Sequence, residues 1–148
     1  MTDIVLADDH QTVRENVRML LESEPDLQVV GEAGNGLEAV STVERLHPDV
    51  LLLDLMMPDM SGFEVARTVR QSSPETKIVI LTLHANEAYA LEALEAGAMG
   101  YVIKHAGFEE LLRAIRAVRD GRRYLCRPLS EEVLDAYRRR TTGDNLSP

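Results

Sequence analysis

Short apolar segments alternate along the chain with segments whose apolar residues recur at helical spacing, and this alternation occurs five times. The apolar segments are rich in Val, Ile and Leu and lack a regular polar alternation, which is typical of strands covered on both faces. Five strand–helix units in about 120 residues predict a parallel sheet with helices on both sides. The predicted strands are Ile4–Ala7, Leu27–Val30, Val50–Leu53, Ile78–Leu81 and Tyr101–Ile103.

The chain changes character after residue 121, where the strand–helix alternation stops. A segment over 130–140 has acidic residues near its start and arginines near its end, the order that the helix dipole favours. It predicts an extra C-terminal helix, followed by a linker or frayed end over 141–148. We therefore expect one α/β domain over 1–121 and a linker segment over 122–148 that contains this helix.

The composition fits one domain of ordinary size. The chain has 148 residues, of which 45% are hydrophobic, enough for a core. No apolar run approaches the ~18 residues of a membrane span, and no signal peptide precedes the first strand, so no membrane partner is expected. Cys126 is the only cysteine, which excludes an internal disulfide and predicts a cytoplasmic setting.

The net charge of −9 is unevenly distributed. Residues 1–120 carry 10 Lys+Arg against 21 Asp+Glu (net −11), whereas residues 121–148 carry 6 against 4 (net +2). Binding to nucleic-acid phosphates needs a basic surface, which the acidic body lacks. This polypeptide alone is therefore not expected to bind DNA.

Three carboxylates are expected to meet at one edge of the sheet. Asp8 and Asp9 directly follow the first predicted strand, and Asp54 directly follows the third. If these strands are neighbours, the like charges disfavour one another's ionisation, so the cluster requires a cation. The pattern predicts a divalent-metal site built around a reactive aspartate.

Each candidate residue also has an ordinary structural explanation. Asp54 alone could cap a turn, and Asp8 with Asp9 could be an acidic pair at a helix N-terminus. Thr82 alone fits any strand end, and Lys104 alone fits any solvated strand terminus. The functional interpretation depends on the convergence of these residues at one edge of the sheet.

Together these features resemble the receiver domain of bacterial two-component response regulators over residues 3–121. The resemblance implies a doubly wound, five-stranded parallel sheet of order 2-1-3-4-5, the CheY-like or flavodoxin-like arrangement, with ligands at the carboxyl ends of the strands. The matching features, in the family's order, are Asp8-Asp9 after the first strand, Asp54 after the third, the turn Met57–Gly62, Thr82 ending the fourth strand and Lys104 ending the fifth.

The resemblance implies a phosphoacceptor, not an enzyme in the usual sense. Asp54 would take a phosphoryl group from a phosphohistidine on a sensor histidine kinase, by a transfer that needs in-line approach and charge neutralisation. Lys104 would pair with the phosphoryl oxygens, and the Thr82 hydroxyl would donate a hydrogen bond to one of them. Thr82 and Tyr101 would form the switch that carries the signal to the protein surface.

The cofactor that the resemblance implies is Mg²⁺, which suits a site with few protein oxygens, several waters and a phosphate oxygen. Asp9 and Asp54 would bind the ion directly, and Asp8 would bind mainly through water. The backbone carbonyl of Met56 would supply a further oxygen, which is why a methionine is acceptable at that position.

Three segments look like the NarL/FixJ-type subfamily, whose members carry a C-terminal helix-turn-helix of the LuxR type. The end of the chain resembles the start of that domain, so we expect a receiver fragment that reaches promoter DNA only through an absent C-terminal domain. Whether phosphorylation promotes a homodimer stays open. The segments are Leu81–His84, Glu110–Ile115 and Gly121–Leu125, and the chain end is Leu146-Ser147-Pro148.

Other functions are less well supported. A stand-alone receiver that docks on a protein partner without a DNA-binding output remains an alternative. A phosphohydrolase with an aspartyl intermediate would need a second aspartate where Met56 stands, and a flavin carrier would need hydroxyls and amides after the first strand. The histidines are scattered and lack metal-ligand spacing; they are His10, His47, His84 and His105.

Overall fold

Strands and helices alternate along the part of the chain that the computed structural model describes, residues 1–84, 86–126 and 130–142. The strands are β1 (Thr2–Ala7), β2 (Leu27–Ala33), β3 (Val50–Asp54), β4 (Lys77–Thr82), β5 (Gly100–Ile103) and β6 (Tyr124–Leu125). The helices are α1 (Gln11–Glu22), α2 (Gly36–Leu46), α3 (Gly62–Ser72), α4 (Glu87–Glu95), α5 (Phe108–Arg119) and α6 (Ser130–Thr142), with a 3-10 turn at Lys104–Ala106. All five predicted strands are present.

The strands form one parallel sheet in the order β2-β1-β3-β4-β5-β6. The predicted order 2-1-3-4-5 is confirmed, but the predicted number of five strands is wrong. The sixth strand pairs with β5, Gly100 opposite Tyr124 and Tyr101 opposite Leu125. Two residues are too few to form a recognisable apolar run, which is why the sequence pattern did not predict this strand.

Helices cover both faces of the sheet. Since alternate strand residues point to opposite faces, the core is divided into two clusters. One core cluster joins residues such as Val5 and Leu51 to side chains of α2, α3 and α4. The other joins Ile4 and Leu52 to side chains of α1 and α5. Within the described ranges, no helix combines the length and apolar character needed to cross a membrane.

Helix α6 lies against α4. Its Val133 is buried, and the Arg140 guanidinium is 2.7 Å from the Glu95 carboxylate at the end of α4. The Arg123 guanidinium lies 5.0 Å from the centre of the Tyr137 ring. This helix occupies the segment where an extra helix is predicted, whereas the chain end Leu146–Pro148 lies outside the described residues.

The loop between β3 and α3 is held by polar contacts. The Gly62 N–H donates to the carbonyl of Leu55 (2.8 Å), and the Ser61 hydroxyl caps α3 by accepting from the N–H of Glu64 (3.3 Å). The Asp59 carboxylate accepts hydrogen bonds from the first N–H groups of α2, at 2.7 and 3.0 Å, which hold the pKa of Asp59 below its usual value. The loop after Asp54 is thereby fixed at both ends.

Substituting Gly62 by alanine should destabilise this loop. The added Cβ would lie 2.8 Å from the Leu55 Cα and 2.9 Å from the Asp54 carbonyl oxygen, so the backbone must shift. We expect the free energy of unfolding of Gly62→Ala to be about 1–3 kcal/mol below that of the wild type. Urea titrations followed by circular dichroism would measure the difference. As a control, Gly34→Ala meets only the flexible end of Arg14 and should change stability by less than about 0.5 kcal/mol. Equal stability of the two variants would contradict this account of the loop.

Candidate acidic phosphoacceptor site

The predicted carboxylates meet at the carboxyl edge of the sheet because β1 and β3 are hydrogen-bonded neighbours, with Ala7 opposite Leu53. Asp54 is the last residue of β3, and Asp8 is the first residue after β1. Both are 6% exposed, whereas Asp9 lies at the solvent-exposed rim. Ligand atoms of Asp8, Asp9 and Asp54 all lie within 4.8 Å of one another.

Lys104 reaches this cluster from the end of β5. Its Nζ is 3.0 Å from Asp8 Oδ2 and 3.5 Å from Asp54 Oδ2, and its side chain is 15% exposed. Because β4 lies between β3 and β5, the lysine side chain crosses the end of β4 to reach the cluster. One ammonium group therefore contacts both buried carboxylates.

The electrostatics of the cluster favour a divalent cation. Burial raises the pKa of Asp54, the charge of Lys104 lowers it, and the charge of Asp8 raises it again. When the three carboxylates are ionised, Lys104 leaves two negative charges uncompensated. Carboxylate oxygens are the ligands that Mg²⁺ prefers, so the residues present fit that ion.

Asp54 also makes the ordinary turn contact that its sequence position allows. Its Oδ1 accepts a hydrogen bond from the N–H of Met56 at 3.3 Å, which starts the loop to α3. The Met56 side chain is 55% exposed, in keeping with a position where only the backbone is needed. Asp54 is therefore both a turn residue and a member of the acidic cluster.

Thr82 and Tyr101, the two residues of the predicted switch, contact the same backbone segment. Thr82 ends β4 and is fully buried, and its hydroxyl accepts a hydrogen bond from the N–H of His84 at 3.2 Å. Tyr101 is also fully buried, and its hydroxyl donates to the carbonyl of His84 at 2.7 Å. Both residues therefore hold the segment that leads from β4 into α4.

His10 belongs to the acidic cluster, although it was not a sequence candidate. Its Nδ1 lies 3.1 Å from Asp9 Oδ1 and 3.2 Å from Asp8 Oδ1, and its ligand atom falls within the same 4.8 Å group. Metal-ligand spacing between histidines could not indicate it, because its companions are carboxylates. The signal that could have done so is its position directly after Asp8 and Asp9.

The chain is similar in sequence to a described protein family and to curated regulators. The family described as the response regulator receiver domain matches residues 4–116. The transcriptional regulatory protein DegU of Brevibacillus brevis is 36% identical over 141 residues, which are 95% of this chain and 60% of that protein. The oxygen regulatory protein NreC of Staphylococcus epidermidis is 39% identical over 145 residues, which are 97% of this chain and 66% of that protein.

A solved structure agrees in both fold and sequence. The crystal structure of a LuxR-family two-component response regulator from Aurantimonas sp. SI85-9A1 has a TM-score of 0.86 and 39% identity, and covers 92% of this chain and 97% of that one. The chain spans 60% and 66% of the two curated relatives described above. It belongs to the response regulator receiver family, and the NarL/FixJ-type resemblance of its sequence is confirmed.

Proposed function

We propose that this chain receives a phosphoryl group on Asp54 from a sensor histidine kinase in the cytoplasm. The observation that carries the proposal is the position of Asp54, buried at the strand edge with the Lys104 ammonium 3.5 Å from its Oδ2. A buried carboxylate with a fixed cation beside one oxygen is suited to attack a phosphorus centre whose negative charge must be neutralised. The chain is a stoichiometric acceptor in a signalling pathway, not a classical enzyme.

In this transfer, an Asp54 carboxylate oxygen forms a bond to phosphorus while the bond from phosphorus to the donor histidine nitrogen breaks. The Lys104 ammonium neutralises charge on the transferred phosphoryl group, moving from the carboxylates to the phosphoryl oxygens. The Thr82 hydroxyl donates a hydrogen bond to one of those oxygens. Since little covalent chemistry is left to the protein, positioning and charge account for the rate.

Four groups would hold Mg²⁺ in this proposal. Asp9 and Asp54 would bind it through carboxylate oxygens, the Met56 backbone carbonyl would add one ligand, and Asp8 would act mainly through water. Their fit rests on the shared 4.8 Å neighbourhood of the carboxylates and on their all-oxygen donor set. When bound, the ion supplies the charge compensation that the phosphoryl oxygens need and that Lys104 alone does not provide.

We further propose that the signal leaves the site through Thr82 and Tyr101. If the Thr82 hydroxyl turns to a phosphoryl oxygen, it gives up its hydrogen bond to the N–H of His84. The other fixed point of that segment is the Tyr101 hydroxyl on the His84 carbonyl. Both contacts hold the backbone just before α4. The loss of either hydrogen bond would therefore alter the position of that helix and of α6, which packs against it.

We propose the output of the complete regulator from the family to which this chain belongs. We assign the receiver domain to residues 1–121 and a linker segment to residues 122–148, leading to a C-terminal helix-turn-helix that contacts promoter DNA. Two relatives support a DNA-binding output by their names: one is a transcriptional regulatory protein, and the other is a LuxR-family response regulator. A homodimer formed on phosphorylation is part of the same proposal.

The first prediction is that Asp54 alone accepts the phosphoryl group. Incubation with phosphoramidate and Mg²⁺ should add one phosphate mass to the intact chain, and hydroxylamine should remove it, because the product is an acyl phosphate. Asp54→Asn should gain no mass, whereas the control Asp120→Asn, at the C-terminal end of α5, should gain it normally. A phosphorylated Asp54→Asn chain would refute the assignment.

The second prediction concerns the metal. Asp9→Ala removes a proposed direct ligand and should weaken Mg²⁺ binding at least about tenfold in calorimetric titrations. The free energy of unfolding should stay the same or rise, because repulsion between carboxylates is relieved. Glu15→Ala, which removes an exposed carboxylate on α1, is the control and should leave Mg²⁺ binding unchanged. Unchanged affinity in Asp9→Ala would remove Asp9 from the ligand set.

The third prediction tests the switch. Thr82→Ala should still accept the phosphoryl group on Asp54 but should lose most of the change that beryllofluoride causes in the NMR signals of α4. Thr82→Ser keeps the hydroxyl and should respond as the wild type does. A wild-type pattern of shifts in Thr82→Ala would show that the signal takes another route.

A further inference from the structure

The imidazole of His10 stands at the rim of the acidic site and is not used to cap its own helix. His10 precedes α1 with extended backbone angles (φ −97°, ψ 105°), and its side chain makes no capping hydrogen bond to α1. Its Nδ1 instead lies 3.1 Å from Asp9 Oδ1 and 3.2 Å from Asp8 Oδ1. The N–H of His10 also donates to Asp8 Oδ1 at 2.9 Å, which holds the short link between β1 and α1.

The 3.1 and 3.2 Å separations are those of hydrogen-bonded ion pairs, and they are also close to the spacing of donor atoms around one small metal ion. Bonds of about 2.0–2.1 Å from a tetrahedral zinc ion to nitrogen and oxygen place neighbouring ligand atoms about 3.3 Å apart. The Nδ1 of His10 is within 0.2 Å of that separation from two different carboxylates. The ligand atoms of all four residues, Asp54 included, lie within 4.8 Å of one another, so the side chains must move closer together to hold one ion. The donor set is therefore mixed, with three carboxylates and one imidazole.

Lys104 and His10 contact different oxygens of Asp8. The lysine Nζ lies 3.0 Å from Oδ2, whereas the histidine Nδ1 and backbone N–H both face Oδ1. An ion held beside Oδ1 would leave the contact of Lys104 with Oδ2 intact. The lysine and a metal ion can thus share the same carboxylate.

We propose that His10 is an additional metal ligand, so that this site takes a late first-row ion such as Zn²⁺ in competition with Mg²⁺. Imidazole is a good ligand for Zn²⁺, Ni²⁺ and Cu²⁺, whereas Mg²⁺ takes oxygen ligands and keeps several waters. His10 Nδ1, with the carboxylates of Asp8, Asp9 and Asp54, forms the binding group. The inference shares its metal site with the proposed function and adds a ligand and a selectivity to it.

The test compares two metals and two histidines. Metal-free wild type, His10→Asn and His84→Gln are titrated with Zn²⁺ and with Mg²⁺ at one fixed pH by calorimetry. In His10→Asn we expect Zn²⁺ affinity to fall at least about tenfold, because the loss of a residue that only hydrogen-bonds to a metal ligand already has an effect of that size. Its Mg²⁺ affinity should stay within about threefold, because the oxygen ligands remain. Asparagine also suits the position before a helix, which protects the fold.

The control is His84→Gln, which removes another histidine near the same edge of the sheet, one that stacks edge-on against Tyr89. It should bind both metals as the wild type does. A second readout is the ¹⁵N shift of the His10 ring, where Zn²⁺ should shift Nδ1 more than Nε2 and fix the tautomer that carries its proton on Nε2. This signal reports ligation directly and does not depend on phosphorylation.

Several outcomes would overturn the inference. They are an unchanged Zn²⁺ affinity in His10→Asn, an equal loss of Zn²⁺ and Mg²⁺ binding, a gain in affinity for both, or the same Zn²⁺ loss in His84→Gln. If Asp54 proves not to be phosphorylated while Zn²⁺ binding still depends on His10, the proposed function fails and this inference stands. If the phosphorylation result holds and Zn²⁺ ignores His10, only this inference fails.

Discussion

The contact of the Lys104 ammonium with Asp8 and Asp54 is the interaction on which the site depends. Two carboxylates that are each 6% exposed stand at the ends of neighbouring strands, and their repulsion would oppose folding without a cation between them. Lys104 contacts both from the end of β5, which lies two strands from β3 and three strands from β1 in the sheet. The order of strands and the charge balance of the site are therefore two aspects of one constraint.

The polar contacts around the site extend this arrangement outwards. Gly62 allows the backbone after Asp54 to pack closely, and Asp59 ties the same loop to the first turn of α2. On the other side, Thr82 and Tyr101 both hold the backbone of His84. The carboxylate at the centre thus stands between a loop fixed by several polar contacts and a segment held by two side-chain hydrogen bonds.

Much of the fold could be predicted because buried parallel strands leave a strong signal. An apolar run such as Val50–Leu53 admits few other structures, and acids at the ends of two such runs indicate a shared edge. β6 could not be predicted, because a two-residue strand has no periodicity and forms only by pairing with β5. The place of His10 was not predicted, because spacing between histidines does not indicate a site whose other members are carboxylates; its position directly after Asp8 and Asp9 is the signal that could have indicated it.

The packing of α6 on α4 has a mechanical consequence. A cavity lies between the first turns of the two helices, bordered by Leu91 and Val133, whereas Arg140 joins Glu95 at their far ends. With 13 residues, α6 is a rod about 20 Å long. If the start of α4 moved into that gap, the rod would pivot about its paired end, and a turn of about 10° would swing its other end by about 3 Å. Such a turn would change the direction of α6 far more than the position of its paired end.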